Sequence, residues 1–337
     1  MTTVNNRFAS QLIDNCRLSV DSRGSMSKLL TVIMPAHDSA TSIEYSVESI
    51  LNQSYKEIEI IIVDDSSNDE TRSIIEKFKA NPGIIALYNA SNQGPAICRN
   101  IGLSQCNTKY VTFLDSDDWI DMNCYQRALE ILESNSQVDI CAWDIETVYS
   151  RHHSLPRYEY KYENIITSSY ALDMYSRVHQ NSSYFSPLLG NKVLRTDVIN
   201  NNNLNFHGWF YEDDVFIFRL LLESKLIALI PDCKLYYFQR EGSLMHSFSE
   251  MMINELFDSF QRLYSEISKR SDWLSLKTFY YCYLEKCIFN LIRICKTCNC
   301  SDIERNVYYE MILNSIASEI NLSEYGLFCN IGDLFNA

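Results

Sequence analysis

The stretch LLTVIMPAHDSATSIEYSVESILNQSYKEIEIIIVDD, residues 29–65, decides the fold class. It opens on a short apolar run, LLTVIM, that ends at Pro35. Ile43, Val47, Ile50 and Leu51 then recur at helical spacing and give one inward face, after which IEIIIVDD is a second apolar run. The alternation continues outward from there: a further helical stretch, the run IIALYN, a helix opening after Gly94-Pro95, and the run YVTFLD. Repeated β-α-β units predict an α/β fold with a mixed, mostly parallel sheet flanked by helices. Pro95 suits the first turn of a helix, and Ser67 followed three residues later by Glu70 matches a capping box. Ligands in an open α/β sheet sit beyond the carboxyl ends of the strands. Pro35 to Asp38, Asp64 to Ser67 and Asp115 to Asp118 are therefore expected around one crevice.

Downstream, Val138 to Trp143 reads as a strand, and the Tyr-rich polar region from about 150 to 183 has no clear period. A helix is predicted over Asp214 to Glu223, then strands over Leu226 to Ile230 and over Lys234 to Gln239. From Ser249 onward the pattern is helical. The expected organisation is an extension over 1–28, a catalytic domain over 29–247 and a helical C-terminal region over 248–337.

With 337 residues, 46% of them hydrophobic, the chain is long enough for one large core with a helical annex. Its net charge of −14 argues against nucleic acid as a partner, because broad phosphate recognition needs clustered Lys and Arg. A nucleotide held through a metal stays compatible. The twelve Cys are scattered and no secretory signal precedes them, so reduced thiols and a cytoplasmic enzyme are expected, free or held at the inner face of the plasma membrane.

The strongest chemical signal is FLDSDDW, Phe113 to Trp119, which sets three carboxylates at the exit of a buried strand. Burying like charges together is costly without a cation. Hard oxygen ligands suit Mn²⁺ or Mg²⁺, which bridge phosphates and neutralise a departing nucleoside diphosphate. The competing reading is a polar turn that caps the next helix. VDDSSND, Val63 to Asp69, ends an earlier strand; there Asp64 is read as structural and Asp65 as a ligand for the nucleotide. The competing reading is an N-capping turn.

Taken in order, MPAHDSATSIEYSVESILNQSY, EIIIVDDSSNDET, NQGPAICRNIGL, FLDSDDW and YEDDVF resemble the family 2 glycosyltransferases of bacterial surface-polysaccharide synthesis. The resemblance spans Leu29 to Ser247 and implies the GT-A nucleotide-diphospho-sugar transferase fold. It further implies a UDP-sugar donor and a glycan or lipid-linked acceptor, as in O-antigen or capsule synthesis. By the same resemblance Asp65 contacts uracil, Asp117 binds the metal, and Asp115 lies beside ribose or metal. Ser116 and Pro35 complete the nucleotide-sugar contacts. In Glu212-Asp213-Asp214 the resemblance makes Asp213 the base that deprotonates the acceptor, with Glu212 orienting it and Asp214 capping the following helix.

Other residues carry two readings each. Arg99 either pairs with the acidic cluster or faces phosphate. Trp209 and Tyr211 either stack on an acceptor sugar or pack. Arg240, Ser243 and His246 resemble a segment that closes over donor phosphates, His246 as a further metal ligand or all three as surface loop. His37-Asp38 departs from the aromatic-Asn pair common in the family's first loop, and Lys192 in GNKVLR anchors an acceptor loop. Cys295, Cys298 and Cys300 offer half of a zinc site or a metal-free cluster. FYYCYLEKCIFNLIRIC, residues 279–295, packs on the catalytic domain or lies against a membrane interface. A non-catalytic sugar-nucleotide or glycan-binding scaffold is the alternative function. A dinucleotide oxidoreductase is disfavoured because PAHDSATS has no Gly for the first turn.

Overall fold

The computed structural model describes residues 28–150, 153–161, 163–177, 185–239, 248–298 and 300–319. The predicted βαβ series forms as β1 (Leu30–Ala36), α1 (Ile43–Leu51), β2 (Ile58–Asp64), α2 (Thr71–Phe78), β3 (Ile84–Tyr88), α3 (Pro95–Gln105) and β4 (Tyr110–Phe113). Strands β1 to β4 are mutually parallel, with Leu30 opposite both Ile58 and Tyr110. Next come β5 (Trp119–Ile120), α4 (Cys124–Ser134), β6 (Val138–Ser150), β7 (His153–Tyr158), β8 (Asn164–Thr167) and α5 (Ser168–Ser176). The chain continues through β9 (Lys192–Arg195), α6 (Thr196–Asn201), α7 (Glu212–Glu223) and β10 (Leu226–Phe238). It ends in α8 (Glu250–Ile267), α9 (Trp273–Thr297) and α10 (Asp302–Glu319). The sheet order is β3-β2-β1-β4-β9-β6-β10-β5, with β7 on β6 and β8 on β10. β9 runs antiparallel to both its neighbours, so the sheet is mixed, as expected.

Period-two alternation in β1 explains the layers. Leu30, Val32 and Met34 face the core that α1 and α4 cover, together with Val47, Ile50, Tyr125 and Leu129, whereas Ile33 faces the opposite core. Each such fully buried aliphatic side chain contributes about 2 kcal/mol of transfer free energy. Gly102 lets α3 lie close on this face, since a Cβ there would meet Ile33 Cγ2 at 2.3 Å.

Several local expectations change. The two strands predicted over Leu226 to Gln239 are one strand with an irregularity between Ile230 and Lys234, where Asp232 takes φ +67°. The unpatterned Tyr-rich region supplies β7, β8 and α5; their short, partly exposed strands carry too little alternation to be read. Ser67 forms no capping box: its hydroxyl donates to Asp64 Oδ1 at 2.5 Å, and α2 begins four residues later, at Thr71. Helix α7 begins at Glu212 rather than Asp214.

The apolar face of α9, including Tyr280, Tyr283, Leu284, Ile288 and Leu291, is buried in the same core as Ile33 and Phe113. Packing therefore accounts for the run that also read as a membrane contact. Among the described residues no helix is long and apolar enough to cross a membrane.

Candidate active site

Three loops meet past the carboxyl ends of β1, β2 and β4, as the strand pattern requires. They are tied to one another by side chains. Asp38 Oδ1 accepts from Asn68 N at 2.7 Å, Asp38 N donates to Ser67 Oγ at 3.0 Å, and the Ser39 and Ser116 hydroxyls share a hydrogen bond of 2.7 Å. Asp38, Ser66 and Tyr211 all take positive φ, at 45°, 61° and 59°. For non-glycine residues this conformation is costly and concentrates where a site demands it.

Pro35 lies buried in β1 opposite Val63, at the edge of the crevice. Asp65 is also buried, and its carboxylate is taken up by the neighbouring loop. Asn89 Nδ2 donates to Oδ1 at 2.7 Å, Gly94 N to Oδ2 at 2.7 Å, and Gln93 N to both oxygens at 3.0 Å. In this arrangement Asp65 builds the crevice wall through residues 89–94. His37 adds to it, with Nδ1 2.9 Å from Asp65 O and Nε2 3.0 Å from Asn92 Nδ2.

The three carboxylates of FLDSDDW are not equivalent. Asp118 is buried and accepts from Phe238 N at 2.9 Å, so it pins the end of β10. Burial, then the charges of Asp117 and Asp115, push its carboxyl well above the usual range. Asp115 and Asp117 are half-buried, on the loop that follows β4. Ser116 turns inward, its carbonyl accepting from Ser46 Oγ at 3.0 Å. Two semi-exposed carboxylates fit a divalent ion of the Mg²⁺ type, which keeps few protein ligands and completes its shell with phosphate oxygens. Among the described residues no group of three or more His, Cys, Asp or Glu is placed as an all-protein cage. Within Cys295, Cys298 and Cys300, Cys298 Sγ donates to Cys295 O at 3.0 Å and lies 2.7 Å from Cys300 Sγ. His246, Arg240 and Ser243 lie outside the described residues.

In this structure Arg99 pairs with the acidic cluster. It is 5% exposed, with Nη2 2.8 Å from Asp115 Oδ1 and Nη1 2.6 Å from Glu212 Oε1. Burial alone would lower its pKa, but Asp115, Glu212 and Asp213 outweigh that and raise it. Helix α3 thereby joins the loop after β4 to the start of α7. Asp213 is half-buried, and its Oδ1 accepts from Asp214 N at 2.8 Å. Burial, then the neighbouring charges of Glu212 and Asp214, raise its carboxyl well above the ordinary range. A raised pKa makes the ionised form a stronger base.

The aromatic residues before this helix pack. A Cβ on Gly94 would meet the Trp209 ring at 2.9 Å, and Trp209 N donates to Glu255 Oε2 at 2.6 Å. Tyr211 is 6% exposed and packs within the core. Lys192 anchors its loop as read: its buried ammonium donates to Ser186 O, Leu188 O and Asn191 Oδ1 at 2.8, 2.6 and 2.6 Å. Asp214 is no cap. Its Oδ1 accepts from Lys286 Nζ of α9 at 2.8 Å and from the Tyr175 hydroxyl at 2.6 Å. Sequence reasoning missed this cluster, although a lone Lys on the buried face of an apolar helix signals a buried partner.

The geometry has its counterpart in known proteins. The family model described as Glycosyl transferase family 2 matches residues 31–189. The poly(ribitol-phosphate) beta-N-acetylglucosaminyltransferase TarP of Staphylococcus aureus is 30% identical over 257 residues, covering 72% of this chain and 73% of TarP. The chain belongs to glycosyl transferase family 2. The minor teichoic acid biosynthesis protein GgaA of Bacillus subtilis is 30% identical over 224 residues, 63% of this family 2 chain. The chain spans about half, 48%, of the length of GgaA. Its fold is that of S. aureus TarS 1–349, solved in complex with UDP: TM-score 0.62 at 18% identity, covering 90% of this chain and 93% of the other. The GT-A architecture expected from the motifs is thus the architecture of this family 2 member, helical C-terminal region included.

Proposed function

We propose that the chain is an inverting, metal-dependent glycosyltransferase that moves a hexose or N-acetylhexosamine from a UDP-sugar to a glycan or lipid-linked acceptor. One observation carries the reading: Arg99 holds Asp115 of the donor loop and Glu212 of the base-bearing helix in one centre, 2.8 and 2.6 Å from its two terminal nitrogens. The names of GgaA and TarP support a polymer of the cell surface as the product, and the UDP complex of TarS supports the donor class. O-antigen and capsule remain the proposed settings beside wall polymers.

In the proposed transfer the acceptor hydroxyl attacks the anomeric carbon from the face opposite UDP. The new carbon–oxygen bond forms as the bond to the β-phosphate oxygen breaks, and the hydroxyl proton passes to Asp213. Asp117 and Asp115 are the residues that would hold Mn²⁺ or Mg²⁺, which would supply positive charge to offset that on the leaving diphosphate. Arg99 keeps the base-bearing helix in register with the donor loop. Asp65 and the loop it holds form the proposed nucleotide wall, with Pro35 and Ser116 at its edges.

The test is UDP release from UDP-glucose, UDP-galactose, UDP-GlcNAc and UDP-GalNAc, with and without each metal. Metal-stimulated release from at least one donor is expected. If none of the four binds or reacts under any metal condition, the donor assignment fails.

A further inference from the structure

Lys286 stands on α9, far along the chain from the crevice, yet its ammonium is buried among the groups that border the base. Its Nζ lies 2.8 Å from Asp214 Oδ1 and 3.7 Å from the centre of the Tyr175 ring. The Tyr175 hydroxyl donates to the same oxygen at 2.6 Å and to Asp214 O at 2.8 Å. An ammonium and a carboxylate buried together are tolerated only as a hydrogen-bonded pair, and removing either leaves the other charged and unsolvated. From this pair the next atoms along are those of the base, since Asp214 N donates to Asp213 Oδ1 at 2.8 Å.

Three consecutive acids open α7, and their partners differ. Glu212 is paired with Arg99 of α3, which it shares with Asp115, and Asp214 with Lys286 of α9. The remaining cation near Asp213 is Lys192 of β9, whose ammonium is committed to three oxygens of its own loop. Tyr211, and Tyr283 and Cys287 of α9, also lie close enough to feel the Asp213 charge, and Tyr175 of α5 donates to Asp214. Among the described residues, then, the outer two acids each have a cation and the middle one has none at ion-pair distance.

We infer that Lys286 is a positioning residue for glycosyl transfer: it holds Asp214 as a neutral pair, which limits repulsion on the Asp213 carboxylate and fixes the backbone amide that donates to it. This rests on the proposed role of Asp213 as base and adds the helix that sets its environment. Helix α9 acts in the reaction by this route, through Lys286 and Asp214.

The experiment is the pH profile of UDP release by the full chain with Mn²⁺, on whichever of the four UDP-sugars the native protein turns over. Lys286→Met leaves Asp214 charged and unpaired, so the acid limb of the profile moves up by about one pH unit while UDP affinity is unchanged. The double variant Lys286→Met with Asp214→Asn returns the limb towards its native place. Asp214→Asn alone moves it down. A Lys286→Met profile lowered equally at every pH, or a double variant that leaves the limb displaced, overturns the inference. Should Lys286→Met fail to fold, Asp214→Asn decides alone, and an unmoved limb overturns it. Asp213→Asn separates the two readings: native-like transfer removes the base assignment and this inference together, whereas an inactive Asp213→Asn beside a native Lys286→Met profile removes only this inference.

Discussion

Arg99 and Glu212, 113 positions apart in sequence, meet at 2.6 Å between Nη1 and Oε1, and the guanidinium's other terminal nitrogen, Nη2, reaches Asp115. The pair is buried, so its loss strands a carboxylate away from water. Arg99→Met is expected to lower unfolding stability by about 3–5 kcal/mol, the usual consequence of breaking one side of a buried ion pair. Arg99→Lys keeps the charge but not the fork, and so should recover only part of both stability and transfer. Urea unfolding followed by fluorescence, run beside UDP-release assays, checks both outcomes.

Asp213→Asn should reduce transfer by roughly 10²- to 10⁴-fold, the range for loss of a general base, with UDP affinity retained. Its stability effect has the opposite sign. Burial and the charges of Glu212 and Asp214 raise the folded-state pKa above the unfolded one, so the folded chain binds this proton more tightly. The stabilisation is complete below the unfolded pKa and is lost as pH rises through the folded pKa. Asparagine removes that loss. The variant should therefore unfold at higher urea than the native chain at neutral pH, and the difference should shrink on acidification.

How much of this was legible follows from the kind of signal each residue leaves. Leu30, Val32, Met34 and Ile60 alternate or run apolar in short windows, so β1 and β2 could be read directly, and the carboxylates at their ends followed from the topology. The pairing of Arg99 with Glu212 leaves no local trace, because it depends on where α3 and α7 come to lie. Nor does local sequence distinguish Asp117 from Asp118; only the Phe238 amide arriving from β10 makes the second structural. Tyr211 and Trp209 carried both a stacking and a packing reading because exposed and buried aromatics look alike in sequence. Lys286 was visible as a charge interspersed in an apolar run, but its partner was not.

The two neighbours in FLDSDDW should respond differently to truncation. Asp117→Ala is expected to weaken Mn²⁺-dependent UDP binding while leaving the unfolding midpoint near native, as it is half-buried at the crevice. Asp118→Ala removes the acceptor for Phe238 N and should destabilise by about 1–3 kcal/mol. Isothermal titration with UDP, with and without metal, separates a ligand effect from a folding effect. Equal loss of UDP binding in both variants, at native stability, would count against the division.

Gly94 tests whether the wall built by Asp65 is a strained, shaped surface. It takes φ +86°, and a Cβ there would lie 2.9 Å from Trp209 Cδ2. Its amide is also one of the donors that hold the Asp65 carboxylate, at 2.7 Å. Alanine therefore meets two obstacles: a conformation unfavourable for any L side chain, at about 1–2 kcal/mol, and contact with an indole that Glu255 fixes through its backbone amide. Relief of either shifts the loop away from Asp65. Gly94→Ala should lower stability and weaken UDP binding by about tenfold, since a shift costing 1.4 kcal/mol at the site has that effect. Adding Trp209→Phe gives the new methyl room but leaves φ unchanged, so the double variant should recover part of the affinity and not all of it. Full recovery would assign the whole effect to the indole contact; unaltered UDP affinity in Gly94→Ala would show that the loop held by Asp65 is not part of the nucleotide wall.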